Sequence, residues 1–567
     1  MGWVAGTFTK WRSRRTLAAL AVVAVAAALV VIPTQTASAA NPIANENSRP
    51  GTPGWQITKV ASSFQISGYV TQPAVDPGDP VPVHVNLKAP EANHDYTVEV
   101  YRMGYYGGVG ARRWFGPKTL SFGNPLADPT QVDVATGRIE ADWPTAFTVD
   151  TTGYVTGTYL VRLTSVNGWQ AYVPFTVRSA TPTTYQFLNA HLTWQAYNDA
   201  GGNSLYVRNA DFPNLRKNCF LFWCLYQWND PVTWKLEQSA TLPRTKPTAY
   251  QVTFRRPYTP GLRYSAGSGE YLAHEYPLAQ WIESQGLDVG YAADYDLDTN
   301  TVPVGVKALI LPGHSEYWTG RMRDNLEEAE NRGVGLASFG ANQAYWRCRI
   351  EGASPTDAGT YNCYKSSNGE PNPDDPLAAD PQLASAQFRS AFVNRPEQTV
   401  LGSMFRSWIN AGVPAGGPTT TGLGWVPMTA SDTSHPTMAG TGIAPGQSFN
   451  ALTGGEFDTV QDRYPQIPGT RKLMATTIQP AAWQGSGGWL QLLLCSWNWP
   501  GACWTAEQDS VVAERVGTSG TARIFNAGTY NWIWGLTNFS LGGKDFNYAS
   551  PQIRQLTANL LRWVAKV

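Results

Sequence analysis

The hydrophobic periodicity of this 567-residue chain changes near residue 180, and that change limits the fold more than any other feature. Before it, apolar residues alternate: Val81, Val83, Val85 and Leu87; Tyr96, Val98 and Val100; Tyr159, Val161 and Leu163; Val173, Phe175 and Val177. A period of two with polar residues between marks strands with one buried face. Asn167-Gly168, between the last two runs, predicts a two-residue hairpin with both turn residues at positive φ. Residues 41–180 therefore read as an immunoglobulin-like β-sandwich. Past the linker-like Ala180-Thr181-Pro182-Thr183-Thr184, the apolar runs at 306–311 and 334–339 become continuous, as in strands covered on both faces. Helical stretches accompany them: 276–285 before Gly286, 321–332 before Gly333, and a last helix opened by Ser550-Pro551 with Ile553, Leu556, Leu560, Trp563 and Val567 on one face. Residues 185–567 read as an α/β domain, a mostly parallel sheet with helices on both faces and insertions rich in Gly, Pro and Trp.

Composition supports a packed protein. Charged residues are only 15%, while Trp (23) and Tyr (26) are abundant, the reverse of a disordered chain. Lys and Arg (42) balance Asp and Glu (42), and no basic run suits a phosphate backbone, which argues against a nucleic-acid partner. With 54 Gly and 40 Pro the chain is neither coiled coil nor polytopic membrane protein.

The first forty residues have the grammar of an export signal. Lys10, Arg12, Arg14 and Arg15 precede an apolar run at 17–32, shorter than the roughly 20 residues of a membrane span. Ala37-Ser38-Ala39-Ala40 then supplies small residues for cleavage. An uncleaved anchor is the competing reading, and Arg14-Arg15 also resembles a twin-arginine signal. The expectation is a secreted protein with no stable membrane span after signal removal. Six cysteines fall into three local couples, 219–224, 348–363 and 495–503, which read as disulfides in an oxidising compartment. A zinc site is disfavoured, since no couple has two-residue spacing and no His lies nearby.

In α/β sheets, ligands bind beyond the carboxyl ends of the strands. Two such ends are readable: Pro312-Gly313-His314-Ser315-Glu316-Tyr317-Trp318 and Gly340-Ala341-Asn342-Gln343-Ala344-Tyr345-Trp346. Each carries a Tyr-Trp pair, so Tyr317 and Tyr345 can converge from adjacent strands. Three readings compete. Ser315 as the nucleophile of an elbow requires a small residue where Tyr317 stands, and Asn342 at the second elbow excludes a cysteine nucleophile there. Two phenols with a carboxylate suit a hard, strongly Lewis-acidic cation such as Fe(III). In the third reading the tyrosines simply pack in the core with satisfied hydroxyls. Asp294, Asp296 and Asp298 lack the Gly and distal Glu of a calcium loop.

Several segments carry a family resemblance: 46–55 (Glu46 to Trp55), Tyr101-Arg102-Met103-Gly104-Tyr105-Tyr106-Gly107-Gly108, Gln195-Ala196-Tyr197-Asn198 with Gly201-Gly202-Asn203-Ser204-Leu205-Tyr206, Gly313-His314-Ser315-Glu316-Tyr317-Trp318, and His435-Pro436 with Gly440-Thr441-Gly442. Together they resemble proteins with the C-terminal domain of the N,N-dimethylformamidase large (β) subunit, over nearly the whole chain after the signal. The resemblance implies an amidotransferase-like (flavodoxin-like) domain binding one non-haem iron through two tyrosines and a glutamate. By motif position these are Tyr317, Tyr345 and Glu456, the last within Gly454-Gly455-Glu456-Phe457-Asp458. It implies Lewis-acid hydrolysis of a small-molecule amide; His314 and Glu316, adjacent to the site in sequence, are the candidate acid–base residues, with a hydrogen-bonded role in orienting the loop as the alternative for His314. The chain departs from the amidase in its export signal, its cysteines and the lack of a counterpart for the small subunit. Gly454, two positions before Glu456, offers no acid–base side chain. The competing hypothesis is a non-catalytic extracellular protein that grips cell-wall glycan through exposed Trp and Tyr, with a degenerate enzyme domain.

Overall fold

The computed structural model describes residues 41–206, 248–259, 270–352, 359–409, 425–478, 506–541 and 544–567, with the backbone of two short strands, Gln227–Asn229 and Leu236–Gln238. The cysteines of the 219–224 and 495–503 couples and the first forty residues lie outside them. Residues 41–567 form one compact unit, mostly β-sheet with some helices.

The alternating runs form two sheets. One orders Ile66–Val70, Pro80–Leu87 and Thr145–Asp150; the other orders Ala74–Val75, Gln170–Val177, Gly157–Ser165, Asp95–Met103 and Ala111–Ser121. Val81, Val83, Val85 and Leu87 meet Val98, Val100, Val161, Leu163, Val173 and Phe175 in one core. The hairpin at Asn167-Gly168 exists, but only Gly168 takes positive φ (+80°). The Ser165 amide donates to the Trp169 carbonyl and the Gly168 amide to the Ser165 carbonyl, so the loop is longer than two residues and one left-handed residue closes it.

The continuous runs build a nine-stranded sheet from β1 (Tyr185–Asn189), β2 (Val289–Ala293), β3 (Ala308–Leu311), β4 (Gly335–Ser338), β5 (Val426–Ala430), β6 (Ser448–Thr453), β7 (Arg471–Ile478), β8 (Ala506–Val516) and β9 (Thr521–Asn526), in the order β2-β1-β3-β4-β9-β8-β7-β5-β6. Pairing is parallel from β2 through β9 and antiparallel from β9 through β6. The sheet is therefore mixed: parallel strands need crossover connections, and the later strands pair with antiparallel neighbours instead.

Both faces are covered, which explains the unbroken apolar runs. Ala308 and Ile310 enter one core with Leu278, Trp281 and Ile282 of α2 (Tyr276–Ser284) and Ile553, Leu556 and Leu560 of α4 (Pro551–Ala565). Leu309 and Leu311 enter another with Leu192 of α1 (His191–Tyr197) and Met322, Leu326 and Ala329 of α3 (Gly320–Asn331). Ser550 caps α4 by accepting the Ile553 amide. Val567 departs from the expected helical face: α4 ends at Ala565, Lys566 turns left-handed (φ 58°), and Val567 is exposed. The three aspartates are committed elsewhere, Asp294 to backbone amides, Asp296 to Arg178 and Asp298 to Thr319 and Arg321.

A buried ion pair fastens the sandwich to the large sheet. Arg102 Nη2 lies 2.8 Å from Glu283 Oε1 of α2, and both side chains are 0% exposed. Thr156 and Met103 carbonyls take the remaining guanidinium protons, while Tyr291 and Asn47 donate to the carboxylate. A Cβ at Gly104 would stand 2.4 Å from Glu283 Oε2, so only glycine lets the pair close. Removing one partner leaves the other charge buried and unpaired, so Arg102→Met is expected to cost about 3–5 kcal/mol in urea unfolding. A loss under about 1 kcal/mol, the size of an exposed pair, would show that the pair is not fully desolvated.

Candidate functional site

The parallel strands reverse direction of growth at β1, which has β2 on one side and β3 on the other; the crevice beyond the carboxyl ends is where such a sheet binds ligands. Side chains from four of those ends gather there. The α1 helix after β1 carries Tyr197, the loop after β3 carries His314 and Glu316, the loop after β4 carries Tyr345, and the turn after β9 carries Tyr530. Glu456 arrives on the strand Glu456–Thr459, which pairs with Met404–Trp408 and is bridged at Phe457 to Thr529. Two glycines permit the convergence: a Cβ at Gly313 would lie 2.6 Å from the His274 carbonyl oxygen, and one at Gly340 would lie 1.9 Å from the Gly313 carbonyl oxygen.

His314, Glu316 and Glu456 come together. His314 Nε2 is 3.3 Å from Glu316 Oε2 and 3.4 Å from Glu456 Oε2. One donor atom from each of the three lies within 4.8 Å of the others, a spacing that one metal ion can bridge. The Tyr197 hydroxyl donates to Glu316 Oε2 at 2.8 Å, the Tyr206 hydroxyl lies 2.8 Å from the same oxygen, and Tyr530 donates to Glu456. His314 and Glu316 are buried, whereas the Glu456 side chain keeps 17% exposure and Tyr206 38%, so the cluster opens on their side.

Tyr317 is one bond removed. Its hydroxyl donates to that of Tyr206 at 2.6 Å and accepts from Lys365 Nζ at 3.0 Å. Tyr345 lies beside the cluster through its backbone, whose amide donates to the Glu316 carbonyl. Its ring packs on Phe405 with the Arg389 guanidinium 4.9 Å from its centre. Among the described residues the Tyr345 hydroxyl makes no hydrogen bond to His314, Glu316 or Glu456. Lys365 is anchored two residues past the Cys348–Cys363 disulfide, which is the expected local pairing within the described residues.

The charges decide what the cluster wants. Burial disfavours the imidazolium, but the Glu456, Glu316 and Glu270 carboxylates around it lift His314 to about 10. Burial likewise opposes ionisation of Glu316, yet His314, Lys365 and Tyr206 hold it below the usual carboxylate range. Burial pushes Lys365 down to about 8 and Glu270 up to about 8. Burial also drives the phenols of Tyr317 and Tyr345 upward. Three carboxylates thus face one imidazole and one amine, and the His314 nitrogens have no hydrogen-bond partner. Carboxylate oxygens and one imidazole nitrogen within 4.8 Å of one another fit a hard cation.

Other sequence readings resolve here. Ser315 is 0% exposed, its Oγ accepts from the Trp318 indole at 2.9 Å, and its amide donates to Gln343; it is part of the scaffold. A side chain at Gly454 would meet Asn531 Nδ2 at 2.3 Å, so no acid–base group fits there. Among the described residues no tryptophan side chain is exposed; Trp223, Trp234, Trp483, Trp489, Trp497, Trp499 and Trp504 lie outside them. Tyr197 and Tyr206 stood in motifs noted above without a role. Glu270, His274, Lys365 and Tyr530 carried no signal in the sequence.

Comparison with known proteins agrees with the motifs. The profile of the family described as N,N-dimethylformamidase beta subunit-like, C-terminal, matches residues 97–545. No curated protein matches. A solved cycloisomaltooligosaccharide glucanotransferase of Paenibacillus sp., complexed with cycloisomaltoheptaose, is similar at a TM-score of 0.14 and 10% identity, over 52% of this chain and 33% of its own. This chain spans about a third of the length of that enzyme, and a likeness so slight carries no argument. Among the described residues no helix is long and apolar enough to cross a membrane. With the profile matched over most of its length, the chain belongs to the N,N-dimethylformamidase beta subunit-like family.

Proposed function

We propose that this protein is an exported, iron-dependent hydrolase of a small-molecule amide C–N bond, built on an amidotransferase-like α/β domain. The observation that carries the reading is the gathering of His314, Glu316 and Glu456 donor atoms within 4.8 Å at the carboxyl ends of the parallel strands. Export is supported by the character of residues 1–40 and by the Cys348–Cys363 disulfide, which suits an oxidising compartment. By motif, Tyr317, Tyr345 and Glu456 would hold the cation. A second arrangement, favoured by the 4.8 Å cluster, uses His314, Glu316 and Glu456. When bound, such a cation supplies Lewis acidity toward an amide carbonyl and a water molecule.

The chain's own groups then have separate tasks. Where Tyr317, Tyr345 and Glu456 hold the cation, His314, flanked by carboxylates, can hold a proton at Nε2 and deliver it to a departing amine. Tyr197 and Tyr206 fix the Glu316 carboxylate, and Tyr206 borders the opening. Lys365 holds Tyr317 and Tyr206 in place, its Nζ lying 3.4 Å over the Tyr206 ring.

Elemental analysis of purified protein is expected to find iron, and Glu456→Gln to lose it, since both ligand sets need this carboxylate. Absence of bound metal after loading with Fe(III), in wild type and variant alike, would sink the reading. Phenolate ligation gives a visible charge-transfer band that Tyr317→Phe removes; a colourless protein whose metal survives Tyr317→Phe but not His314→Ala has the second ligand set. A fluorophosphonate is expected to leave Ser315 unlabelled. Ser315→Ala is expected to keep turnover within a few-fold while costing about 1–3 kcal/mol through the unpaired Trp318 indole; inactivation of both kinds would restore the serine-hydrolase reading.

A further inference from the structure

Glu270 is a buried carboxylate with nothing assigned to it. It is 1% exposed, and among the described residues neither of its oxygens has a hydrogen-bond partner. Leaving a buried carboxylate unbonded costs stability. Its Oε2 lies 4.0 Å from His314 Nδ1, on the side of the ring opposite the nitrogen that faces Glu316 and Glu456. His274 Nε2 is 3.8 Å from the same oxygen. Glu270 immediately precedes the π-helical turn Tyr271–Glu275, a distortion that concentrates at functional sites. The Tyr530 ring packs against both imidazoles, at 4.8 Å from His314 and 4.9 Å from His274, which limits how far either ring can tilt.

We infer that Glu270 is the positioning residue of His314: it accepts the Nδ1 proton and thereby keeps Nε2 turned toward Glu316 and Glu456. A separation of 4.0 Å is bridged by one water or closed by a shift of about 1 Å. Whichever partner holds one imidazole nitrogen decides the tautomer and the direction of the other. Tyr530 supplies the walls and Glu270 the polarity. The inference rests on the proposed centre only in giving His314 something to face, since the pairing is a property of the chain's own residues.

The test uses full-length protein labelled with ¹⁵N-histidine, its His314 signals assigned with His314→Gln. A hydrogen-bonded Nδ1–H proton, shifted far downfield, is expected in wild type with and without Zn(II), weakened in Glu270→Gln and absent in Glu270→Leu. Zn(II) affinity, measured against a chelator, is expected to fall about 10–100-fold in Glu270→Leu if His314 is a ligand. Loss of the signal with affinity unchanged also supports the inference and assigns His314 to proton transfer. Retention of the signal in Glu270→Leu, or its absence from wild type, overturns it. Should wild type bind neither Zn(II) nor Fe(III) while Glu270→Leu still abolishes the signal, the metal reading fails and the positioning role stands.

Discussion

The site exists because two loops approach more closely than any side chain would permit. The Gly340 Cα faces the Gly313 carbonyl so tightly that a Cβ would stand 1.9 Å from the oxygen, and Gly313 in turn lies against the His274 backbone. Larger residues at either position would spread the ends of β3 and β4. His314, Glu316 and the backbone bond from Tyr345 to Glu316 all follow from that contact. The buried strands beneath, with one core on each face, make the platform rigid enough to hold the loops there.

Stability and function pull in opposite directions at this platform. Some buried charge is closely matched, as in Arg102 with Glu283 and Arg349 with Asp375. In the crevice it is not: Glu270, Glu316 and Glu456 crowd one imidazole, and burial takes part of the basicity of Lys365. A fold tolerates such a concentration of like charge only where the surrounding structure over-determines it. The disulfide beside Lys365 and the aromatic packing of Tyr197, Tyr206 and Tyr530 supply that constraint.

The departures from expectation share one cause, namely that local pattern does not know its partners. The antiparallel half of the large sheet was not legible because the apolar pattern of a strand marks its buried faces and not the direction of its neighbour. Aromatic content alone carries no address; among the described residues Trp194, Trp318, Trp532 and Trp534 are core. Val567 kept the helical spacing, but α4 had already ended in a left-handed residue.

Periodicity and turn residues by themselves determined the sandwich strands, the buried runs of β3 and β4, the helices ending at Gly286 and Gly333, and the strand-end segments bearing His314, Glu316, Tyr317 and Tyr345. These depend on neighbours within a few residues, where side-chain spacing and backbone preference act directly. Tertiary structure alone decided that Glu456 would meet His314, that Lys365 would reach Tyr317, and that Glu270 would stand unbonded behind the imidazole. Those contacts join residues 44 to 142 positions apart, and only the packing of the whole sheet sets such distances.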